Sequence, residues 1–193
     1  MSRIIGGSGK GRRLKTAAGE TTRPTGARVR QSLFDILAPH IAGSRFLDAF
    51  AGNGSVGLEA LSRGASTVVL VDRDAGAVEA AQENARALSR SGGEVRVFRQ
   101  DARTAISAFA DQGLQFDVVY LDPPYASDLY EPLLELLGEG RVLAEGGVAV
   151  AEHFHKRSLP ERIGALARTR TKRVGDHVLS FYSLARGGDR ETE

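Results

Sequence analysis

The feature that most constrains this fold is a regular alternation of short apolar runs with amphipathic segments, from Arg45 to His153. Runs such as TVVLVD at 67–72 and FDVVYL at 116–121 are mostly apolar, as expected of strands buried on both faces. The segments between them carry apolar residues at helical spacing, so successive strands need right-handed crossovers and pair in parallel. We therefore predict an α/β, doubly wound fold with a mainly parallel sheet covered by helices on both faces.

The two ends of the chain depart from this alternation. The segments 167–175 and 177–185 meet without a helix between them, which predicts an antiparallel pair and, with five earlier strands, a seven-stranded sheet with an antiparallel last strand. At the other end, a short basic hairpin or arm is predicted over 1–24. One domain over 25–186, which opens with a helix, and a disordered tail over 187–193 complete the expected organisation.

A glycine-rich turn joins the first predicted strand to its helix. Gly52, Gly54 and Gly57 form a GxGxxG pattern, and Asp72 ends the second strand 20 residues after Gly52, where an acid can bind ribose hydroxyls. Sites for nicotinamide dinucleotides and for S-adenosylmethionine both satisfy this pattern. The turn therefore indicates a nucleotide-like cofactor without identifying it.

Asp48, at the end of the first predicted strand, favours S-adenosylmethionine. A pyrophosphate binds best at a helix N-terminus without negative charge nearby, whereas S-adenosylmethionine carries an ammonium and a sulfonium, both cations. The alternative is that Asp48 only caps the following turn. Asp101 ends the third strand, where it fits an acceptor for an adenine amino group and equally the N-cap of the next helix.

The motif LDPPY at 121–125 follows the fourth predicted strand. Pro123 lacks the N–H that a central strand would donate, so it ends the strand and places Asp122 at the sheet edge where α/β proteins bind ligands. Asp122 is therefore a candidate catalytic residue. The alternative is a rigid turn with Tyr125 packed in the core.

Charge is unevenly distributed along the chain. Residues 1–30 contain eight Lys and Arg residues against one Glu, a local net charge of +7 in a chain of net charge +2. Phosphate neutralisation is the general source of nucleic-acid affinity, so we expect a polyanionic partner; the alternative is a solvated basic tail. The candidate RNA-binding residues are Arg3, Lys10, Arg12, Arg13, Arg23, Arg28 and Arg30.

The composition excludes several classes of protein. The chain has no cysteine, so it has neither a disulfide framework nor a thiolate metal site, and its four histidines lack a trusted ligand spacing. No apolar run approaches the roughly 20 residues of a membrane helix, and no signal peptide is recognisable. We expect a soluble, cytoplasmic monomer without a metal site.

Together, these motifs resemble the class I S-adenosylmethionine-dependent methyltransferases that act on exocyclic amino groups. MSRIIGGSGKGRRLK, TRPTGARVRQSLF, FLDAFAGNGSVGLEALSRGA and LDPPY are similar to the bacterial methyltransferases of a guanine 2-amino group in 16S ribosomal RNA, and the resemblance spans residues 3–152. It implies a Rossmann-like sheet with an antiparallel last strand, S-adenosylmethionine as cofactor, and ribosomal RNA or the assembling small subunit as partner. The cofactor-binding residues that it implies are Asp48, Phe50, Ala51, Gly52, Asn53, Gly54, Gly57, Asp72, Asp101 and Ala102, with Asn53 at a position where the family has a small polar residue.

The tetrapeptide DPPY suits methylation of a nucleobase amine, whose lone pair is delocalised into the ring. The Asp122 carboxylate and the Pro123 carbonyl would accept both amine hydrogens and favour a pyramidal nitrogen. Pro124 restricts the residue before it, and Tyr125 offers a flat face on which an extruded base can stack. The predicted catalytic residues are thus Asp122, Pro123, Pro124 and Tyr125, and none of them requires a metal.

Two other functions remain open. The target could be an adenine 6-amino group in RNA or DNA, because DPPY contacts an amine rather than a particular base; 193 residues leave little room for a DNA-recognition region. The protein could also be a noncatalytic ribosome-assembly factor with a vestigial cofactor site. Intact Asp122 and Tyr125 argue against that second alternative.

Overall fold

The computed structural model describes residues 2–16, 26–88, 92–124, 127–139 and 141–185. The helices in these residues are α1 (Ala27–Ile41), α2 (Gly57–Ser62), α3 (Ala75–Ala87), α4 (Ala102–Asp111) and α5 (Tyr130–Gly138). The strands are β1 (Ser2–Arg3), β2 (Arg13–Leu14), β3 (Arg45–Asp48), β4 (Thr67–Asp72), β5 (Glu94–Arg99), β6 (Phe116–Leu121), β7 (Leu143–Phe154), β8 (Arg162–Ile163), β9 (Leu166–Val174) and β10 (His177–Leu184). No helix in the described ranges is both long and apolar enough to cross a membrane.

The central sheet has the order β5-β4-β3-β6-β7-β10-β9-β8. Strands β3 to β7 pair in parallel, and β10 lies antiparallel between β7 and β9, so the predicted α/β fold with an antiparallel last strand is confirmed. The sheet exceeds the predicted seven strands by β8, which has only two residues. Gly164 has φ +55°, and the reversal there folds Arg162 and Ile163 back onto the start of β9.

Helices cover both faces of this sheet because strand residues alternate between two apolar clusters. Phe46 packs in the cluster that contains residues of α1 and α2, whereas its neighbour Leu47 packs in the cluster that contains residues of α4 and α5. We call the first side the α1 face. It also carries Leu179 and Phe181 of β10, so this core extends toward the far edge of the sheet.

The N-terminal arm packs against the α1 face. Its strands pair Ser2 with Leu14, and the buried side chains of Ile4 and Leu14 belong to the same core cluster as α1. On α2, Glu59 Oε2 accepts from the Ile5 N–H at 2.8 Å, and Ser62 Oγ accepts from the Gly9 N–H at 2.8 Å. In residues 2–16 the arm is therefore a docked hairpin and not a solvated tail; the predicted tail at 187–193 lies outside the described residues.

Candidate active site

The candidate active site lies where the strand order reverses. From β3 the chain adds β4 and β5 on one side and then returns to place β6 against the other side of β3. Asp48 pairs with Tyr120, so Asp122 lies just beyond it on the neighbouring strand. The carboxyl ends of strands at such a switch point are where open α/β sheets bind ligands.

The glycine turn has a backbone that only glycine adopts readily. Gly52 and Gly54 have φ values of +52° and +82°, in the left-handed region. A Cβ on Gly57 would lie 2.3 Å from Leu70 Cδ2, so the missing side chain lets α2 pack closely on β4. Ala51, which precedes the first glycine, donates its N–H to Val71 O at 2.9 Å and thereby fixes the turn to β4.

Asp72 holds the same turn from the neighbouring strand. Its Oδ2 accepts from the Gly52 N–H at 2.8 Å, and its Oδ1 accepts from the Asp74 N–H at 2.9 Å. Each carboxylate oxygen has a second lone pair, so these contacts leave acceptor capacity for ribose hydroxyls. Sequence reasoning placed Asp72 at the site but did not predict its bond to the turn.

Asp48 is a buried acid at the end of β3, beside the glycine turn. It is 1% exposed, and its Oδ2 accepts from the Gly57 N–H, at the first residue of α2, at 3.0 Å. Its Oδ1 has no hydrogen-bond partner among the described residues. Burial raises the pKa of Asp48 to about 7; the N–H groups of Gly57 and Phe50 oppose the shift, and the charges of Asp72 and Glu152 add to it.

This environment fits a cationic ligand. A buried carboxylate with one unpaired oxygen and acidic neighbours would repel a pyrophosphate and attract an ammonium or a sulfonium. Asp48 also accepts from the N–H of the first residue of α2, as the capping interpretation requires, whereas its contact with the cofactor stays a prediction. The glycine turn, Asp48 and Asp72 together fit S-adenosylmethionine.

Asn53 contacts the N-terminal arm. Its Nδ2 donates to Lys15 O at 2.8 Å, and its own carbonyl accepts from Asn84 Nδ2 at 2.9 Å. Asn84 also accepts from the Lys15 N–H at 2.8 Å and donates to Lys15 O at 3.0 Å, so both hydrogens of its amide group are used. This three-residue junction of Lys15, Asn53 and Asn84 joins the arm to the glycine turn, and the spacing of residues in the sequence gave no signal for it.

Asp101 is the N-cap of α4. Its Oδ1 accepts from the N–H groups of Arg103 and Thr104 at 3.0 and 3.2 Å, while Ala102 begins the helix and is buried. The N-cap interpretation is therefore confirmed. The contact with adenine stays a prediction, and Asp101 Oδ2 makes no hydrogen bond within the described ranges.

The start of the DPPY motif lies directly after β6. Asp122 is half-buried, Pro123 is buried and Pro124 is exposed, whereas Tyr125 lies outside the described residues. The single hydroxyl proton of Tyr130, at the start of α5, is shared between two carbonyl oxygens, Glu152 O at 2.9 Å and Pro123 O at 3.3 Å. Tyr130 therefore fixes the carbonyl that the sequence assigned to amine binding.

A buried acid that sequence analysis missed lies beside this motif. Glu152 of β7 is fully buried; its Oε2 accepts from the Tyr120 hydroxyl, and its Oε1 lies 2.7 Å from His177 Nδ1. Burial and the charges of Glu152 and Asp122 raise the pKa of Tyr120 well above its usual range, so the phenol stays protonated. The only sequence signal for this cluster was an acid inside an apolar strand.

Arg157 ties the chain after the motif to the end of β7. Its Nη2 donates to Ser127 O at 2.9 Å, its guanidinium lies 4.8 Å from the Tyr130 ring centroid, and its Nη1 is 3.5 Å from Glu131 Oε2. Ser127 in turn donates its N–H to Pro124 O at 2.8 Å. Ser127 is thus bound both to Pro124 and to Arg157.

The candidate RNA-binding residues separate into two groups. Those that the structure exposes are Arg3, Lys10, Arg12, Arg13 and Arg28, and Arg23 lies outside the described residues. Arg30 is only 2% exposed, donates to Arg3 O at 2.6 Å and faces Glu59. The prediction that Arg30 contacts RNA is therefore wrong, because the side chain anchors the arm inside the protein.

Among the described residues, no group of three or more His, Asp or Glu side chains is arranged to hold a metal ion. His153, which is buried, has Nε2 at 2.9 Å from Ser180 Oγ, and burial lowers its pKa. His177 pairs with Glu152, so it is a member of the buried cluster rather than an isolated surface residue.

Comparison with known proteins agrees with this geometry. YlbH of Bacillus subtilis is 42% identical over 180 residues, which are 93% of this chain and 97% of that protein. Ribosomal RNA small subunit methyltransferase D of Escherichia coli strain K12 is 33% identical over 191 residues, covering 99% of this chain and 94% of that protein. The solved structure of YhhF from Escherichia coli matches with a TM-score of 0.82 and 32% identity, covering 96% of this chain and 98% of that chain.

The switch-point acids, the glycine turn and the strand order are those of the class I S-adenosylmethionine-dependent methyltransferase fold, in which S-adenosylmethionine is the methyl donor. The family described as conserved hypothetical protein 95 matches residues 2–183, nearly the whole chain. This protein belongs to the conserved hypothetical protein 95 family, together with relatives named as ribosomal RNA methyltransferases.

Proposed function

We propose that this protein transfers the methyl group of S-adenosylmethionine to the 2-amino group of a guanine in small-subunit ribosomal RNA. The observation that carries the proposal is the juxtaposition of Asp48 and Asp122 on neighbouring strands, one in a cation-favouring cofactor site and the other at the start of an amine-binding turn. The substrate class is supported by the name of the Escherichia coli relative. We further propose that the protein acts as a monomer in the cytoplasm.

The bound cofactor supplies an electrophilic methyl group on a sulfonium. The residues of the protein then have to orient the base amine toward that methyl group. Asp122 and the Pro123 carbonyl accept the two amine hydrogens, which directs the nitrogen lone pair out of the base plane and toward the cofactor side of the switch point. Tyr130 keeps the Pro123 carbonyl in place through its hydroxyl, at 3.3 Å.

The proton of the methylated amine also needs an acceptor. Attack by the neutral amine leaves a positively charged, strongly acidic nitrogen, and Asp122 or water can take its proton. The Glu152 cluster is proposed to position the strand, because Glu152 is fully buried and bound to Tyr120 and His177.

On the cofactor, each acid has a separate role. Asp72 is proposed to bind the ribose hydroxyls while it holds Gly52, and Asp101 with Ala102 is proposed to border the adenine. Phe50, Ala51, Gly54 and Gly57 shape the cradle for the methionine portion, and Asn53 supports it by binding the arm. Pro124 and Tyr125 are proposed to complete the base site.

The proposal is tested by transfer of a tritiated methyl group to ribosomal RNA, to small ribosomal subunits and to DNA, followed by nucleoside digestion and chromatography. We expect 2-methylguanosine from small-subunit RNA or particles. Recovery of 6-methyladenosine would instead identify an adenine enzyme. Absence of transfer from protein that binds S-adenosylmethionine and RNA would support the noncatalytic alternative and overturn the proposal.

A further inference from the structure

The second basic region of the chain lies in its C-terminal part, which includes the hairpin of β9 and β10. Residues 153–185 contain seven Lys and Arg residues against two acidic residues, a net charge of +5. Residues 31–152, which form most of the α/β core, contain nine basic and eighteen acidic residues, a net charge of −9. The positive charge of the protein is therefore concentrated in two segments that flank an acidic core.

Within the hairpin of β9 and β10, Arg170 and Lys172 have charges that no acidic side chain of the described residues balances. Both are exposed, and neither makes a hydrogen bond or an ion pair within the part of the chain that the structure describes. Arg168 on the same strand differs, because it donates to Leu159 O at 2.7 Å and lies 3.1 Å from Glu161. Arg170 and Lys172 are thus available to a partner outside the chain.

The sheet register places these two cations on the face that holds the candidate active site. Leu121 pairs with Ala151, so the next residues, Asp122 and Glu152, lie side by side. Glu152 in turn pairs with Leu179 of β10. Leu179 pairs with Lys172 of β9. Paired residues in neighbouring strands project to the same side of the sheet. Lys172 therefore lies in the same cross-strand row as Asp122, three strand spacings or about 14 Å away.

Arg170 lies in the next row on the same face, paired through Phe181 and Val150 with Tyr120. The N-terminal arm packs on this face too, since Ile4 and Leu14 share a core cluster with Phe181. The arm is bound to α2 and α3, which pack on β3, β4 and β5, so β6 and the Asp122 turn lie between the arm and β9 in the strand order. At about 3.4 Å per phosphate along a duplex strand, about 14 Å corresponds to about four nucleotides.

We propose that Arg170 and Lys172 form a second RNA-binding surface that contacts phosphates a few nucleotides from the methylated base. The inference rests on the proposed function, because it assigns a further contact surface for the same RNA substrate. The arm and this surface, here called the β9 surface, hold the RNA on both sides of the Asp122 turn.

The competing explanation is protection of a sheet edge. Only the first two residues of β9 pair with β8, so Thr169 to Val174 form an exposed edge, and charged residues on such edges prevent pairing with other chains. Glutamate protects an edge as well as lysine does, but it repels phosphate. Charge reversal therefore separates the two roles.

The experiment uses two double variants with the same change of charge. The β9 variant combines Arg170→Glu and Lys172→Glu, and the control variant combines Arg96→Glu and Arg141→Glu. The control residues are exposed and lie on β5, at the opposite edge, and after α5. RNA affinity is measured over a salt series, together with S-adenosylmethionine affinity and sedimentation. If the β9 variant does not fold, the double variant Arg170→Gln and Lys172→Gln replaces it.

For the β9 variant we expect RNA affinity to fall at least about tenfold more than in the control, and the log–log salt slope to flatten by about 1.4 to 1.8. S-adenosylmethionine affinity and the monomeric state should be unchanged. Equal RNA affinities in the β9 variant and the control would overturn the inference while wild-type methyl transfer remains. Absence of methyl transfer by the wild type would instead overturn the proposed function.

Discussion

The Asp72 carboxylate accepts a hydrogen bond from the Gly52 N–H at 2.8 Å, so the acid expected to bind the ribose also fixes the turn that receives the methionine portion. We therefore expect this one residue to link the ribose and methionine ends of the proposed cofactor site. The carboxylate of Asp72 is already held in place before a ligand binds, so a ligand that donates to it loses less free energy to ordering the side chain.

Asp72→Ala should weaken S-adenosylmethionine binding by about 1–3 kcal/mol, because ribose hydroxyls and the Gly52 N–H both lose their acceptor. Asp72→Asn retains one acceptor oxygen and should lose less. Titration calorimetry of both variants measures the difference. An unchanged dissociation constant in Asp72→Ala would remove this residue from the site.

Binding of S-adenosylmethionine should depend on the ionisation of Asp48. Its pKa is raised to about 7, so the carboxyl is largely protonated at pH 6 and ionised at pH 8. Affinity for the cationic cofactor should therefore rise across this range, by at most about tenfold per pH unit. Calorimetry at pH 6, 7 and 8 tests this, and Asp48→Asn should bind weakly with no such pH dependence.

The same shift should appear in the stability of the cofactor-free protein. Because burial raises the Asp48 pKa above its unfolded value of 3.8, the folded state binds the extra proton between pH 4 and 7, and this contribution is lost as pH rises through about 7. At pH 8 the charged residue costs up to about 4 kcal/mol, so Asp48→Asn should unfold at a higher temperature than the wild type there. A lower melting temperature for Asp48→Asn at pH 8 would contradict this account.

Asp122→Ala should reduce methyl transfer at least about a hundredfold while cofactor affinity changes little, because the carboxylate acts on the amine in the transition state. Asp111→Ala, at an exposed acid at the end of α4, is the matched control and should retain normal turnover. Single-turnover kinetics with tritiated cofactor measure both. Near-normal turnover in Asp122→Ala would make the motif a structural turn.

Asn84→Asp should detach the arm from the cofactor turn. The variant places a carboxylate oxygen against the carbonyls of Lys15 and Asn53, where the amide now donates two hydrogen bonds. We expect a loss of about 1–3 kcal/mol in stability and faster hydrogen exchange in residues 2–16. Gln82→Glu adds the same charge to the same helix, at a residue without a side-chain hydrogen bond in the described structure, and should show neither effect.

Neutralising Lys10, Arg12, Arg13 and Arg23 should flatten the salt dependence of RNA binding by about three log–log units, at about 0.7 to 0.9 for each phosphate contact. S-adenosylmethionine has no phosphate, so its affinity should not change. Filter binding over a salt series and calorimetry measure the two effects. An unchanged salt slope would leave the β9 surface as the main RNA contact.

The sequence predicted those parts of the fold and the site that depend on local pattern. Apolar runs such as 116–121 and the GxGxxG spacing were enough to place Asp48, Asp72 and Asp122 at one edge of a parallel sheet. Strand β8 escaped prediction because two residues carry no periodicity, and its pairing depends on the reversal at Gly164.

Contacts between distant segments could not be predicted from the sequence. Arg30 shares a helix face with the buried residues Leu33 and Leu37, but its hydrogen bond to Arg3 O in the arm had no sequence signal. Glu152, Asn84 and Arg157 have no motif around them; their roles arise because the fold places them beside the DPPY turn or the glycine turn. Such residues act through partners that lie tens of positions away along the chain.

The docking of the arm has a consequence for synthesis of the chain. The arm is made before its partners Glu59, Ser62 and Asn84, which lie 53 to 69 residues further on. At about 5–20 residues per second, translation leaves the first sixteen residues without their docking sites for several seconds. During that time a segment rich in lysine and arginine has no docking site, so its cations stay exposed, and docking of the hairpin must wait until α3 has emerged.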